Sequence, residues 1–135
     1  MTPELYWLAA TAVLTSLLWV PYILNILAEM GVFPALLGRS GDDPGKAVWA
    51  QRAQRAHMNA VENLVVFAPL ALGVHVAGAG SEMTALAAMA YFWLRLAVYI
   101  VHVAGIPIIR TLLFAGGVVC QLILGYALLS MPMAA

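Results

Sequence analysis

Four long apolar stretches dominate this sequence of 135 residues. They cover about residues 5–28, 60–79, 83–104 and 108–131. Each is long enough for a membrane-spanning helix, which needs about 20 mostly apolar residues. The stretches are continuously apolar and do not alternate, which excludes the strands of a closed barrel. With 64% hydrophobic and 9% charged residues, the composition is typical of an integral membrane protein. The sequence predicts a single all-α membrane domain over residues 1–135, a bundle of four transmembrane helices.

Two features modify these helices. Pro21 and Pro69 lie inside the first and second spans, and each removes a backbone donor, so each is a predicted kink. The second helix is predicted to begin at about residue 48, well before its span, and to run to about residue 76. At 1.5 Å per residue it is roughly 43 Å long. Its first turns should therefore project beyond the membrane.

The charged residues predict an orientation. Five cations collect on one side of the membrane: Arg39, Lys46, Arg52, Arg55 and Arg110. Glu4 and Glu82 mark the other side. By the positive-inside rule, the loop over residues 29–48 faces the cytoplasm and both termini lie on the non-cytoplasmic side. Six basic residues balance six acidic ones, which argues against a nucleic acid partner.

A polar cluster over residues 52–63 lies at the start of the second helix. Four of its members share one helix face: Arg52, Arg55, Asn59 and Glu62. Ionisable groups at a bilayer boundary cost free energy unless they are paired, hydrated or bound. Arginine forks a carboxylate, glutamate takes an ammonium and asparagine fixes an amide, so the face suits a zwitterionic, peptide-like ligand. His57 points to a different face and could join this site only through a second helix or subunit.

The alternative interpretation of the cluster is a set of intrahelical ion pairs at the interface. Arg55 and Glu62 are seven residues apart, too far for the favourable spacing of three or four. The like charges Arg52 and Arg55 are one turn apart. An unbound cluster would be poorly satisfied, which favours a ligand.

The third and fourth helices carry further polar residues. Arg95, Tyr99 and His102 follow one another at spacings of four and three and share a face. Arg95 lies deep in its span and needs a partner, for which Glu62 is the candidate. Arg110 opens the fourth helix, where a guanidinium beside helix N-terminal amides favours an anion such as a thiolate. The three histidines have no metal-ligand spacing, so no metal site is predicted.

The segment Arg55-Ala-His57-Met-Asn59-Ala-Val-Glu62-Asn63 closely resembles the R-A-x-x-N-x-x-E signature of the MAPEG family, the membrane-associated proteins in eicosanoid and glutathione metabolism. Asn63 after the glutamate looks most like the microsomal glutathione transferase branch. The step of eleven residues from Tyr99 to Arg110 is similar to that of leukotriene synthases. The resemblance covers essentially the whole chain, and the alanine- and glycine-rich composition suggests a bacterial member in the inner membrane.

The resemblance implies a homotrimer with three sites at subunit interfaces, each taking glutathione as co-substrate and a hydrophobic small molecule that enters from the lipid bilayer. Carried over by position, the glutathione-binding residues are Arg55, His57, Asn59, Glu62 and Tyr99. Arg110 would stabilise the thiolate and is the expected catalytic residue. Arg52, Arg95 and His102 are possible supporting residues.

Departures from the family's synthases bear on the reaction. Val103 stands where the leukotriene synthases carry a second tyrosine, and Thr111 stands where prostaglandin synthases carry a serine. A detoxifying transferase or peroxidase is therefore favoured over eicosanoid synthesis. The alternative is a non-enzymatic trimeric scaffold, or a lipid- or thiol-binding module with the same fold. A transporter or channel is weakly supported, because no inverted repeat is visible.

Overall fold

The computed structural model describes residues 1–37, 45 and 47–133. This part of the chain contains six α-helices and no strand, which confirms the predicted all-α class. In chain order they are α1 Pro3–Leu17, α2 Val20–Met30, α3 Val32–Leu36, α4 Val48–Ala77, α5 Glu82–Ala104 and α6 Pro107–Leu129.

Four stretches of the described residues are long and apolar enough to cross a membrane. They are Pro3–Met30, which joins α1 and α2, and the helices α4, α5 and α6. The structure thus confirms the prediction of four helical stretches that are each long and apolar enough to span a membrane. Arg39 and Lys46, which support the predicted orientation, lie outside the described residues.

The first span is broken between α1 and α2. The break falls at Leu18 and Trp19, and Pro21 follows in the first turn of α2, where a missing N–H costs little. Tyr99 of α5 donates its hydroxyl to the Leu18 carbonyl at 3.1 Å. A side chain of a neighbouring helix therefore satisfies a carbonyl at the break. Pro69, in contrast, lies inside an α4 that continues to Ala77.

Helix α4 is held at its start by α2. One carboxylate oxygen of Glu29 accepts from the Ala47 N–H at 3.3 Å and from Asn25 Nδ2 at 3.1 Å. From this point α4 runs for 30 residues, about 45 Å. That exceeds the roughly 30 Å of a bilayer's hydrocarbon core, so the polar first turns have room to lie outside it.

The packed core lies midway along α4, α5 and α6. Phe67 of α4 stacks on Tyr91 of α5 with ring centroids 3.8 Å apart, and Cys120 and Leu124 of α6 pack against them. Polar residues lie at the two ends of the bundle, beyond this core. We call them the loop end, where α4 begins and α5 ends, and the terminal end, where α1 begins and α6 ends.

The terminal end is closed by hydrogen bonds between helices. The buried Glu4 carboxylate of α1 accepts from Thr84 Oγ1 of α5 at 2.6 Å. Thr2 Oγ1 and His75 Nδ1 of α4 share a hydrogen bond of 3.1 Å. These contacts fix α1 against its two neighbours at the end away from the polar cluster.

Candidate functional site

A cleft of about 510 Å³ opens between α4, α5 and α6 at the loop end. Each of the three helices contributes polar and apolar side chains. The lining residues are Arg55, Met58, Asn59 and Glu62 of α4, Val98 and His102 of α5, and Arg110, Thr111 and Phe114 of α6. We call the α4 face formed by Arg52, Arg55, Asn59 and Glu62 the α4 stripe. One chain brings three residues of this stripe into the same space as Arg110.

Small residues let α4 present this stripe. In the first half of α4 the buried side chains are all alanines: Ala50, Ala53, Ala56 and Ala60. The polar residues at steps of four and three occupy the adjoining face, so Arg55, Asn59 and Glu62 lie in vertical order along the cleft.

A smaller recess of about 170 Å³ adjoins the cleft and is lined by Arg52 in addition to Arg55, His102 and Arg110. The Arg52 guanidinium packs against Gly105, where a Cβ would collide with it. Gly105 also ends α5 with φ +81°, a left-handed conformation that favours glycine. Because Gly105 has no side chain, the turn between α5 and α6 leaves space for the Arg52 guanidinium, which a larger residue at position 105 would displace.

The combined space is strongly cationic. Among the described residues, no carboxylate forms an ion pair with the three arginines that line it. Arg110 also lies in the first turns of α6, which begins at Pro107, so the positive end of the helix dipole adds to the same field. Such a site attracts anions, and arginine can hold carboxylates in a bidentate way.

Thr111 lines the cleft beside Arg110, but its hydroxyl proton is already used. Thr111 Oγ1 donates to the Pro107 carbonyl within α6 at 3.1 Å. Its oxygen remains an acceptor, so Thr111 offers the cleft no hydroxyl proton, whereas the guanidinium of Arg110 offers N–H donors.

Two of the predicted binding residues lie elsewhere in the chain. His57 Nδ1 shares a hydrogen bond of 2.9 Å with the Tyr22 hydroxyl of α2, and Tyr99 donates to Leu18. Both side chains face the α1–α2 break, because they lie on helix faces turned away from the cleft. On α5 the cleft is lined by Val98 and His102 instead.

Arg95 lies beneath the cleft and is 3% exposed. Its Nη1 donates to Asn59 Oδ1 at 3.5 Å, whereas Glu62, the partner expected from the sequence, is exposed on the cleft. The guanidinium also contacts two aromatic rings: its Cζ lies 5.1 Å from the centroid of Tyr91 and 5.3 Å from that of Phe114. The hydrogen-bond partner of Arg95 is therefore the amide of Asn59, which belongs to the R-A-x-x-N-x-x-E segment.

Sequence reasoning did not identify the apolar walls of the cleft. Met58, Val98 and Phe114 line it, and none carries a chemical group that marks a site. Only their spacing from polar site residues could have indicated them: Met58 is one residue from Asn59, and Phe114 is four residues, or about one helical turn, from Arg110. Among the described residues, no group of three or more His, Cys, Asp or Glu side chains is placed to hold a metal ion.

These features define a class: a helical integral membrane protein with four spans and a cationic cleft between three of its helices. The chain belongs to the MAPEG family, which matches residues 5–130, nearly the whole sequence. Comparison with curated proteins and with solved structures gave no significant match.

Proposed function

We propose that this protein is a membrane-bound glutathione transferase or peroxidase that activates a glutathione thiolate against hydrophobic electrophiles. MAPEG membership covers enzymes of this kind together with eicosanoid-related members. The observation that carries the proposal is the single cleft in which Arg55, Asn59, Glu62 and Arg110 meet. Its volume of about 510 Å³ lies in the range of small-molecule sites.

The charges of the site match those of the proposed co-substrate. Glutathione as the thiolate carries two carboxylates, one ammonium and one thiolate. The cleft and recess offer three arginines and one glutamate, which is the complementary set. We assign Glu62 to the ammonium, Arg52 and Arg55 to the carboxylates, and Asn59 to a peptide group.

Arg110 is the proposed catalytic residue. Its guanidinium and the N-terminal end of α6 lower the free energy of an anionic sulfur, and the thiolate is the nucleophilic form of a thiol. The sulfur then attacks an electrophilic carbon, a C–S bond forms, and the leaving group departs with its electron pair. Met58, Val98 and Phe114 supply apolar surface in the same cleft for an electrophile that arrives from the bilayer.

The assembly and location proposed for the protein follow the family resemblance. We propose a homotrimer in a bacterial inner membrane, with the loop end facing the cytoplasm and both termini on the opposite side. In such a trimer a neighbouring subunit would complete a cleft that one chain already forms. Native mass spectrometry of the detergent-solubilised protein tests the trimer directly.

Thiolate formation on binding tests the proposed function. Glutathione is added to the purified protein, and the absorbance of the thiolate is followed at about 240 nm. We expect Arg110→Ala to lose at least tenfold in bound thiolate, because one charge at about 4 Å contributes roughly 4 kcal/mol at an effective dielectric constant of 20. Arg110→Lys should retain part of the signal.

Leu112→Ala is the matched control, since Leu112 is two residues away on α6 and 68% exposed; it should behave as the wild type. Full thiolate formation in Arg110→Ala would remove the catalytic assignment. Glutathione binding without any thiolate in the wild type would instead favour a thiol-binding module of the same fold. Preferential binding of anionic lipid over glutathione would favour a lipid-binding scaffold, for which the arginine-lined recess is the supporting observation.

A further inference from the structure

The buried guanidinium of Arg95 is only partly satisfied. Nη1 donates to Asn59 Oδ1, but Nε and Nη2 have no hydrogen-bond partner within the part of the chain that the structure describes. A buried donor without a partner is uncommon and costs free energy. The rings of Tyr91 and Phe114 contact the guanidinium and offset part of this cost, but hydrogen bonding alone gives no reason for an arginine at this position.

The contact with Asn59 fixes the orientation of an amide that lines the cleft. A guanidinium has five N–H donors and no acceptor, so it can only face the oxygen of the amide. The reversed orientation would set the NH₂ group of Asn59 against the N–H groups of Arg95. With Oδ1 held below, Nδ2 is the atom left for the cleft, and it has no partner among the described residues.

We propose that Arg95 is a positioning residue that holds Asn59 as a hydrogen-bond donor toward the ligand. The site would then recognise an acceptor oxygen at this point, the carbonyl or carboxylate of a peptide-like molecule, and disfavour a donor there. This inference deepens the proposed function and rests on it for the identity of the ligand, glutathione.

The central test is Arg95→Met, measured for glutathione affinity by titration calorimetry and for thermal stability in the same detergent. Met is long and apolar, and replacing a poorly partnered buried charge by an apolar side chain is often neutral or stabilising. We therefore expect an unchanged or higher melting temperature, a rise in Kd of roughly three- to tenfold for one lost hydrogen bond, and an unchanged kcat at saturation. A merely structural role predicts a lower melting temperature with unchanged Kd.

A double-mutant cycle shows whether Arg95 acts through Asn59. In an Asn59→Ala background, Arg95→Met should raise Kd no further, because the amide that it orients is gone. Arg95→Lys should restore part of the affinity, since an ammonium also offers only donors. Additive effects of the two substitutions, or an unchanged Kd in Arg95→Met, would overturn the inference.

A measurement on the free protein separates this inference from the proposed function. The chain has three asparagines, and in protein labelled with ¹⁵N at asparagine the Asn59 side-chain signal is the one that Asn59→Ala removes. Without any ligand, Arg95→Met should shift this signal and leave those of Asn25 and Asn63 in place. If the signal shifts but the protein does not bind glutathione, the proposed function is wrong and the inferred orientation of the Asn59 amide stands. If the signal does not shift, Arg95 does not orient the Asn59 amide.

Discussion

The substitution Gly117→Ala tests whether the Arg95 guanidinium lies where the structure places it. Gly117 is buried on α6 opposite Arg95. A methyl group there would overlap Nη2 and lie 3.1 Å from Cζ and 3.3 Å from Nε. The guanidinium is the far end of a flexible side chain, but the rings of Tyr91 and Phe114, 5.1 Å and 5.3 Å from Cζ, limit where it can move.

Two opposing contributions set the size of the effect. Overpacking of a well-packed site costs about 1–3 kcal/mol, while alanine is favoured over glycine inside a helix by about 1 kcal/mol. Gly125 lies on the same helix, and a methyl there would be 3.8 Å from Leu70 Cδ2, an ordinary contact. Gly125→Ala therefore has the favourable contribution alone. The free energies of unfolding of the two variants should differ by the overpacking cost, about 1–3 kcal/mol.

The assay is thermal unfolding of both variants in the same detergent, followed by glutathione titration. At roughly 4 °C per kcal/mol for a chain of this size, Gly117→Ala should melt several degrees below Gly125→Ala. Its Kd for glutathione should also rise, because the displaced guanidinium no longer holds Asn59. Equal melting temperatures together with equal affinities would show that no guanidinium occupies this position.

The remaining predictions concern residues away from the cleft. Tyr99→Phe removes the donor to the Leu18 carbonyl at the α1–α2 break. We expect the free energy of unfolding to fall by about 1 kcal/mol and the KM for glutathione to stay unchanged. A tenfold rise in KM would instead place this hydroxyl at the ligand. Thr84→Val removes the donor to the buried Glu4 carboxylate; a bond to a charged group contributes about 1.5–3 kcal/mol, so the melting temperature should fall while glutathione affinity stays the same. Weaker binding in Thr84→Val would show that the two ends of the bundle are coupled.

The sequence was sufficient for the spans and for the α4 stripe. Continuous apolar runs leave few alternatives in a membrane, since backbone groups must be satisfied within each segment. Helical periodicity then places Arg55, Asn59 and Glu62 on one face without any knowledge of the neighbouring helices. It also separates His57 from that face, as the structure does.

The sequence could not tell which edge of α5 meets the cleft. Val98, Tyr99 and His102 all lie within an arc that could face α4 or α6, and rotation of a helix about its axis is set by packing. The resemblance favoured Tyr99, but the structure turns Tyr99 to the α1–α2 break. The sequence also did not identify the partner of Arg95. A buried cation suggested a carboxylate partner, but the group that accepts its hydrogen bond is the Asn59 amide.

The Ala47 N–H is hydrogen-bonded to Glu29. Because of this bond, the position of the α4 stripe does not depend on how many residues precede Gly45. The carboxylate of α2 sets where α4 starts, and every residue of the stripe follows from that start by helical repeat. Natural relatives, or engineered versions of this chain, could then have more or fewer residues between Leu37 and Gly45 while Arg52 and Arg55 keep their place. The segment between Leu37 and Gly45 is thus the place at which a tag or a fused domain could be added with least risk to the cleft.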